Sequence, residues 1–73
     1  MDYYGIAQIL SREHPQTIAV ALNRLEPDSA AEIIRNMPRV MQADLIARMS
    51  RVGDLPPEIL SEIDAMLAPL LKP

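Results

Sequence analysis

Seven prolines in 73 residues are the feature that most limits what this chain can fold into. Proline has no backbone N–H to donate and its φ is fixed near roughly −65°, so it disrupts the interior of a helix and the centre of a sheet. The first turn of a helix tolerates proline, because the N–H groups there lack partners within the helix in any case. Most of these prolines stand just before an apolar stripe, which predicts short helices that each begin at a proline.

Apolar residues recur between the prolines at the spacing of one helix face, i, i+3, i+4 and i+7. The predicted helices run from Asp2 to about Ser11, Pro15 to about Arg24, Pro27 to Asn36, about Pro38 to Arg51, and Pro57 to about Leu67. The residues predicted to face inward from the first four are Ile6, Ile9 and Leu10; Ile18, Ala21, Leu22 and Leu25; Ala30, Ile33, Ile34 and Met37; and Met41, Leu45, Met49 and Val52. Asp2 is predicted to cap the first helix, and Gly53 to stop the fourth.

The connections between these helices are only two to four residues long, so neighbouring helices must pack antiparallel or at steep angles. Strand-like alternation is absent from the sequence. The second and third segments form a helix pair of the kind that solenoid proteins stack. We therefore expect an all-α fold, a compact right-handed armadillo-like or HEAT-like array of about five helices, forming a single domain over residues 1–73.

The residue types that carry most enzyme chemistry are scarce. Without cysteine the chain has no disulfide, no thiolate zinc site and no thiol nucleophile, and it suits a reducing cytoplasm. His14 is the only histidine, and Gly5 and Gly53 stand alone, which argues against a metal site and against a phosphate-binding loop. The sequence predicts a protein that is not an enzyme and that has neither a metal nor another cofactor.

Charge and hydropathy limit the partners. A formal net charge of −3 argues against nucleic acid, although Arg39, Arg48 and Arg51 leave a helix-turn-helix interface as a minor alternative. No apolar run approaches the roughly 20 residues that cross a bilayer, so direct membrane insertion is not expected. Hydrophobic residues nevertheless make up 49% of the chain, more than so small a domain readily buries. We therefore expect part of the apolar surface to contact another protein.

The fifth predicted helix is the best candidate for that apolar contact. Its apolar residues spread over a wider arc than a helix packed on one side needs. The residues predicted to stack on another domain are Ile59, Ile63, Met66 and Leu67. Whether the chain also forms a homo-oligomer is left open.

A polar element precedes the second helix. Pro15 disfavours helical geometry at His14, and the extended conformation that results is expected to direct Glu13, His14 and Gln16 outward around the helix N-terminus. A simpler alternative is that His14 only caps the helix. The pattern therefore predicts either a docking element or an ordinary cap.

The order of these motifs resembles the middle domain of the flagellar motor switch protein FliG. The Glu-His-Pro-Gln element is the most specific part of the resemblance, which extends from Ile9 to Leu67. The segments that carry it are Glu13 to Ala19, Leu25 to Pro27 with Ala30 to Glu32, Pro38 with Gln42 to Leu45 and Arg48, and Pro57 to Leu60 with Glu62 and Ile63. The chain departs from the family pattern at Arg39 and Val40, and at Ala68 to Leu71.

The resemblance implies a rotor scaffold at the flagellar basal body, cytoplasmic and peripheral to the inner membrane. It implies that Glu13, His14, Pro15 and Gln16 dock the switch protein FliM, and that the chain stacks on neighbouring FliG-type domains. A helix N-terminus is suited to receive the carbonyl groups of a tight, glycine-rich partner loop. The alternative is a regulatory helical domain of the magnesium-transporter type, whose superhelix is similar but which lacks the Glu-His-Pro-Gln element.

Overall fold

The computed structural model describes residues 1–72, and within them it contains five α-helices and no strand. The helices are α1 (Tyr3–Leu10), α2 (Pro15–Asn23), α3 (Pro27–Arg35), α4 (Arg39–Arg51) and α5 (Pro57–Leu67), followed by a short 3₁₀ helix, Ala68–Leu70. The all-α prediction is confirmed, and each helix boundary lies within about one residue of the predicted one. None of the helices in residues 1–72 has the length and apolarity needed to cross a membrane.

The helix starts follow the prolines. Pro15, Pro27 and Pro57 occupy the first turns of α2, α3 and α5, where a missing N–H costs nothing. Pro38 lies just outside α4 as its cap residue. The first helix begins without proline: the Oδ1 atom of Asp2 accepts a hydrogen bond of 2.9 Å from the backbone N–H of Gly5, as predicted for its cap.

The end of α4 differs from the prediction. The chain leaves the helix at Val52, which is extended with φ −68° and ψ 121°, and Gly53 does not adopt a positive φ. The prediction that Gly53 supplies the stop is therefore wrong. The side chain of the extended Val52 packs against the core.

Helix α2 lies at the centre of the array, in contact with α3, α4 and α5, while α1 packs on α3. Five consecutive residues of α2 are buried: Ile18, Ala19, Val20, Ala21 and Leu22. The prediction of a single buried face on this helix is therefore wrong, because neighbours cover it on several sides. The predicted face of α3 is confirmed, since Ala30, Ile33, Ile34 and Met37 are all buried.

One residue of α1 lies on the opposite side from the prediction. Ile9 is exposed, and Ala7 takes its place in the core beside Ile6 and Leu10. Ala7 and Ile9 both lie within a helical turn of Ile6 and Leu10, so the helical period alone does not decide which of them faces the core.

An ion pair joins the end of α2 to α5. The Nε atom of Arg24 donates to Oδ1 of Asp64 at 2.9 Å, and Nη2 donates to Oδ2 at 2.7 Å. These hydrogen bonds, aided by the charge of the guanidinium, lower the pKa of the Asp64 carboxyl, and partial desolvation opposes the shift. Because both side chains remain substantially exposed, the pair contributes only modestly to stability.

We expect the substitution Asp64→Asn to lower the free energy of unfolding at neutral pH and to have less effect in acid. A carboxyl whose pKa is lower in the folded chain stabilises the fold above its unfolded-state pKa, and this contribution disappears as the pH falls through the folded-state value. Urea denaturation at several pH values between about 7 and 3 would measure the difference. Glu62→Gln, an exposed change on the same helix, is the control. A difference for Asp64→Asn that did not change with pH would contradict the expectation.

Candidate protein-docking site

The Glu-His-Pro-Gln element lies where α1 turns into α2. The backbone N–H of Glu13 donates to the carbonyl of Leu10 at 2.9 Å, which closes a turn at the end of α1. His14 is extended, with φ −61° and ψ 139°, as expected ahead of Pro15. Glu13, His14 and Gln16 are exposed, and Pro15 is half-buried. The structure thus brings the predicted docking residues together on one surface.

His14 also caps α2. Its Nδ1 atom accepts a hydrogen bond of 3.0 Å from the backbone N–H of Gln16. An imidazole that accepts at Nδ1 and is neutral carries its proton on Nε2, and no hydrogen bond engages that atom within residues 1–72. The cap uses only one ring nitrogen, so capping α2 does not prevent His14 from also contacting a partner through the other nitrogen.

The cap reduces the number of free backbone donors at the start of α2. Pro15 has no N–H, the N–H of Gln16 is bonded to His14, and the N–H of Ile18 donates to the carbonyl of His14 at 3.0 Å. Among the residues that the structure describes, none accepts from the N–H of Thr17. The helix terminus thus offers a single backbone donor, beside the exposed side chains.

Two residues of α4 complete the site. The Oε1 atom of Gln16 accepts from Nη1 of Arg48 at 3.1 Å, and Nε of Arg48 donates to Oδ2 of Asp44 at 3.0 Å. Asp44 and Arg48 are part of the family pattern, but nothing in the sequence predicts that they lie beside Gln16. Their i, i+4 spacing indicates a mutual ion pair, whereas the contact with Gln16 depends on how α2 and α4 pack.

A polar pocket of about 330 Å³ lies beside these contacts, lined by Gln16, Asp44, Arg48 and Arg51. Arg51 donates from Nε to the carbonyl of Ala47 in its own helix, at 3.2 Å. Arg48 thus already contacts a carboxylate and an amide of its own chain.

The residues predicted to stack on another domain divide into two groups. Ile63 and Leu67 are 9% and 3% exposed and belong to the chain's own core. Ile59 is 41% exposed and Met66 is half-buried. Most of the wide apolar arc of α5 is thus buried against the other helices. Ile59 and the exposed part of Met66 are the predicted stacking residues that remain on the surface.

The sequence did not indicate an apolar groove of about 470 Å³ that lies between α2, α3 and α4. Leu25, Ala31, Ile34 and Met49 line it, and Ile46, 56% exposed, stands at its edge. A groove built from three helices leaves no trace in the periodicity of any one of them. Within residues 1–72, no three residues of the His, Cys, Asp and Glu types come together as a metal site would require.

Comparison with known proteins gives a consistent result. Residues 5–72 match the family model described as the FliG middle domain. The flagellar motor switch protein FliG of Thermotoga maritima is 37% identical over 66 residues, covering 90% of this chain and 20% of that protein. FliG of Aquifex aeolicus is 34% identical over 67 residues, 92% of this chain and 20% of that protein. The chain thus spans about a fifth of the length of these curated relatives, and no solved structure matches it significantly.

Proposed function

Because the chain belongs to the FliG middle-domain family, we propose that it is a non-catalytic scaffold module of the bacterial flagellar rotor switch, with a role in motility and chemotaxis. Under this proposal the chain belongs to a single module, assigned to residues 1–73, on the cytoplasmic side of the inner membrane at the basal body. The module binds the switch protein FliM through Glu13, His14, Pro15 and Gln16, and it stacks on neighbouring FliG-type domains.

The observation that carries the proposal is an exposed polar element in which two side chains, His14 and Gln16, are hydrogen-bonded within the chain. Glu13, His14 and Gln16 are open to solvent, yet the ring of His14 is fixed by its bond to the Gln16 N–H and the Gln16 amide by Arg48. Exposed polar side chains ordinarily keep their rotamer freedom, because solvent satisfies them. Side chains that are already ordered lose less conformational entropy when a partner binds. This supports a docking role for the element in addition to its local role as a cap.

Calorimetric titration of the unmodified chain with a FliM middle domain tests the proposal. We expect saturable binding at a ratio of one to one. Absence of binding at concentrations well above the micromolar range would count against FliM as the partner. Small-angle scattering with and without magnesium tests the alternative, a regulatory domain of the magnesium-transporter type. A smaller radius of gyration after magnesium is added would favour that alternative.

The stacking surface makes a separate prediction. We expect Ile59→Asp to weaken the association between copies of the chain, because a carboxylate would be desolvated on the exposed apolar end of α5. Sedimentation velocity at increasing protein concentration measures this association. Ile46→Asp, which changes an exposed apolar residue of α4, is the matched control. Equal self-association of the two variants would remove α5 as the stacking surface.

A further inference from the structure

Arg48 lies 32 residues from Gln16 along the chain, yet it donates a hydrogen bond to the Gln16 side chain. We infer that Arg48, held in place by Asp44, is a positioning residue. It orients the Gln16 amide so that the NH₂ group faces the partner, and this inference rests on the proposed function. The docking surface at the start of α2 accordingly depends on α4 for its geometry. Neither Asp44 nor Arg48 needs to touch the partner to have this effect.

The chemistry of the guanidinium fixes the orientation of the amide. Arginine has five N–H donors and no acceptor, so only the oxygen of the Gln16 amide can face Nη1 of Arg48 at 3.1 Å. The two hydrogens on Nε2 of Gln16 then lie on the other side of the group. The cap fixes His14 in a corresponding way, since Nδ1 accepts from the backbone and leaves the Nε2 proton for the surface.

These two constraints give the docking surface a defined hydrogen-bonding polarity. His14 and Gln16 both present N–H donors, whereas Glu13 presents an acidic side chain, which accepts when it is ionised. A complementary partner segment places acceptors, such as the carbonyl oxygens of an exposed loop, opposite His14 and Gln16, and places a donor opposite Glu13. A segment with the reverse arrangement would leave donors facing donors, which is strongly unfavourable once water is excluded.

Asp44 holds Arg48 in the position that this arrangement requires. The contact between Arg48 Nε and Asp44 Oδ2, at 3.0 Å, leaves Nη1 free to reach Gln16. The Arg48 side chain is only 32% exposed, so its stem is fixed by packing as well as by charge. Without Arg48, the Gln16 side chain would be free to rotate, and its donor group would have to be ordered during binding.

Arg51 provides a matched control. It belongs to the same helix, carries the same charge and lines the same polar pocket. Its Nε donates to the Ala47 carbonyl, and it makes no hydrogen bond to Gln16 within the described residues. Any effect that Arg48→Met and Arg51→Met share reflects charge, and any effect specific to Arg48→Met reflects the contact with Gln16.

The test is calorimetric titration of a FliM middle domain into the full chain carrying Arg48→Met, Arg51→Met, Gln16→Ala, or Gln16→Ala with Arg48→Met. We expect Arg48→Met to weaken binding about tenfold and Arg51→Met less than about twofold. Gln16→Ala with Arg48→Met should bind as Gln16→Ala does alone, because Arg48 acts through Gln16. Equal effects of Arg48→Met and Arg51→Met, or additive effects of Gln16→Ala and Arg48→Met, would overturn the inference.

Gln16→Glu separates positioning from fold stability. A carboxylate at this position keeps a charge-assisted contact with Arg48 and suits a helix N-terminus, so the midpoint of thermal unfolding should not fall. The donor is lost, however, and binding should weaken about as much as in Gln16→Ala. Binding as tight as that of the unmodified chain would overturn the inference, because the outward donor would then be dispensable.

The proposed function and this inference can fail separately. If a variant altered at Glu13 and His14 binds as tightly as the unmodified chain, the docking site itself is misplaced, and the inference fails with it. If that variant loses binding while Arg48→Met behaves like Arg51→Met, the docking site stands and only the positioning role is rejected.

Discussion

The substitution Leu45→Ala is expected to remove most of the free energy of unfolding of the chain. Leu45 is completely buried, and within Arg39–Arg51 it is the only buried residue of α4. Truncating a buried leucine to alanine costs about 2–5 kcal/mol, because apolar contacts are lost and a cavity remains. A single core in a chain of this size supplies only about 3–5 kcal/mol of net stability, so the substitution removes most of it.

Urea denaturation followed by far-ultraviolet circular dichroism measures this effect. The neighbouring residue provides the control, since Ile46 is 56% exposed, and Ile46→Ala should change the free energy of unfolding by no more than about 0.5 kcal/mol. A cooperative transition for Leu45→Ala within about 1 kcal/mol of the unmodified chain would show that α4 does not depend on this residue for its packing.

The second large effect is expected in binding. We expect Glu13→Ala combined with His14→Asn to weaken the affinity for a FliM middle domain by a factor of about 100 or more, because two central polar contacts are lost together. Asparagine at position 14 keeps an acceptor that can cap α2, whereas alanine would remove the cap at a cost of about 1 kcal/mol. Stability should therefore change by less than about 1 kcal/mol, so that the loss of affinity reflects docking.

The chain contains a suitable control for this variant. Glu26 is an exposed acid that directly precedes Pro27, as His14 precedes Pro15, and its side chain does not cap α3. Glu26→Ala should therefore leave FliM binding unchanged. Equal affinities for the double variant and the unmodified chain, or an equal loss in Glu26→Ala, would show that Glu13 and His14 are not specific contacts.

The helices could be predicted from the sequence because their starts are set by covalent geometry. Proline restricts its own φ and the conformation of the residue before it, so Pro15, Pro27 and Pro57 mark helix starts almost independently of the tertiary structure. The end of α4 and the inner face of α1, in contrast, are not set by local covalent geometry. Whether Val52 or Gly53 ends the helix, and whether Ala7 or Ile9 faces inward, depends on what the rest of the chain covers.

The candidate site also has a part that could be predicted from the sequence and a part that depends on tertiary packing. The exposure of Glu13, His14 and Gln16 follows from local geometry and could be predicted. The contact of Gln16 with Arg48 could not, and neither could the Arg24–Asp64 pair, because each depends on how two helices distant in sequence are packed. The same limit applies to α5, where periodicity alone does not distinguish the buried Ile63 from the exposed Ile59.

Chemical-shift mapping of the isotopically labelled chain, titrated with an unlabelled FliM middle domain, tests the docking proposal most directly. We expect the largest changes in the backbone amides of residues 13–17, in the side-chain amide of Gln16 and in the Nε–H of Arg48. Changes concentrated on Ile59 and Met66, or in the apolar groove between α2, α3 and α4, with residues 13–17 unmoved, would contradict the proposal.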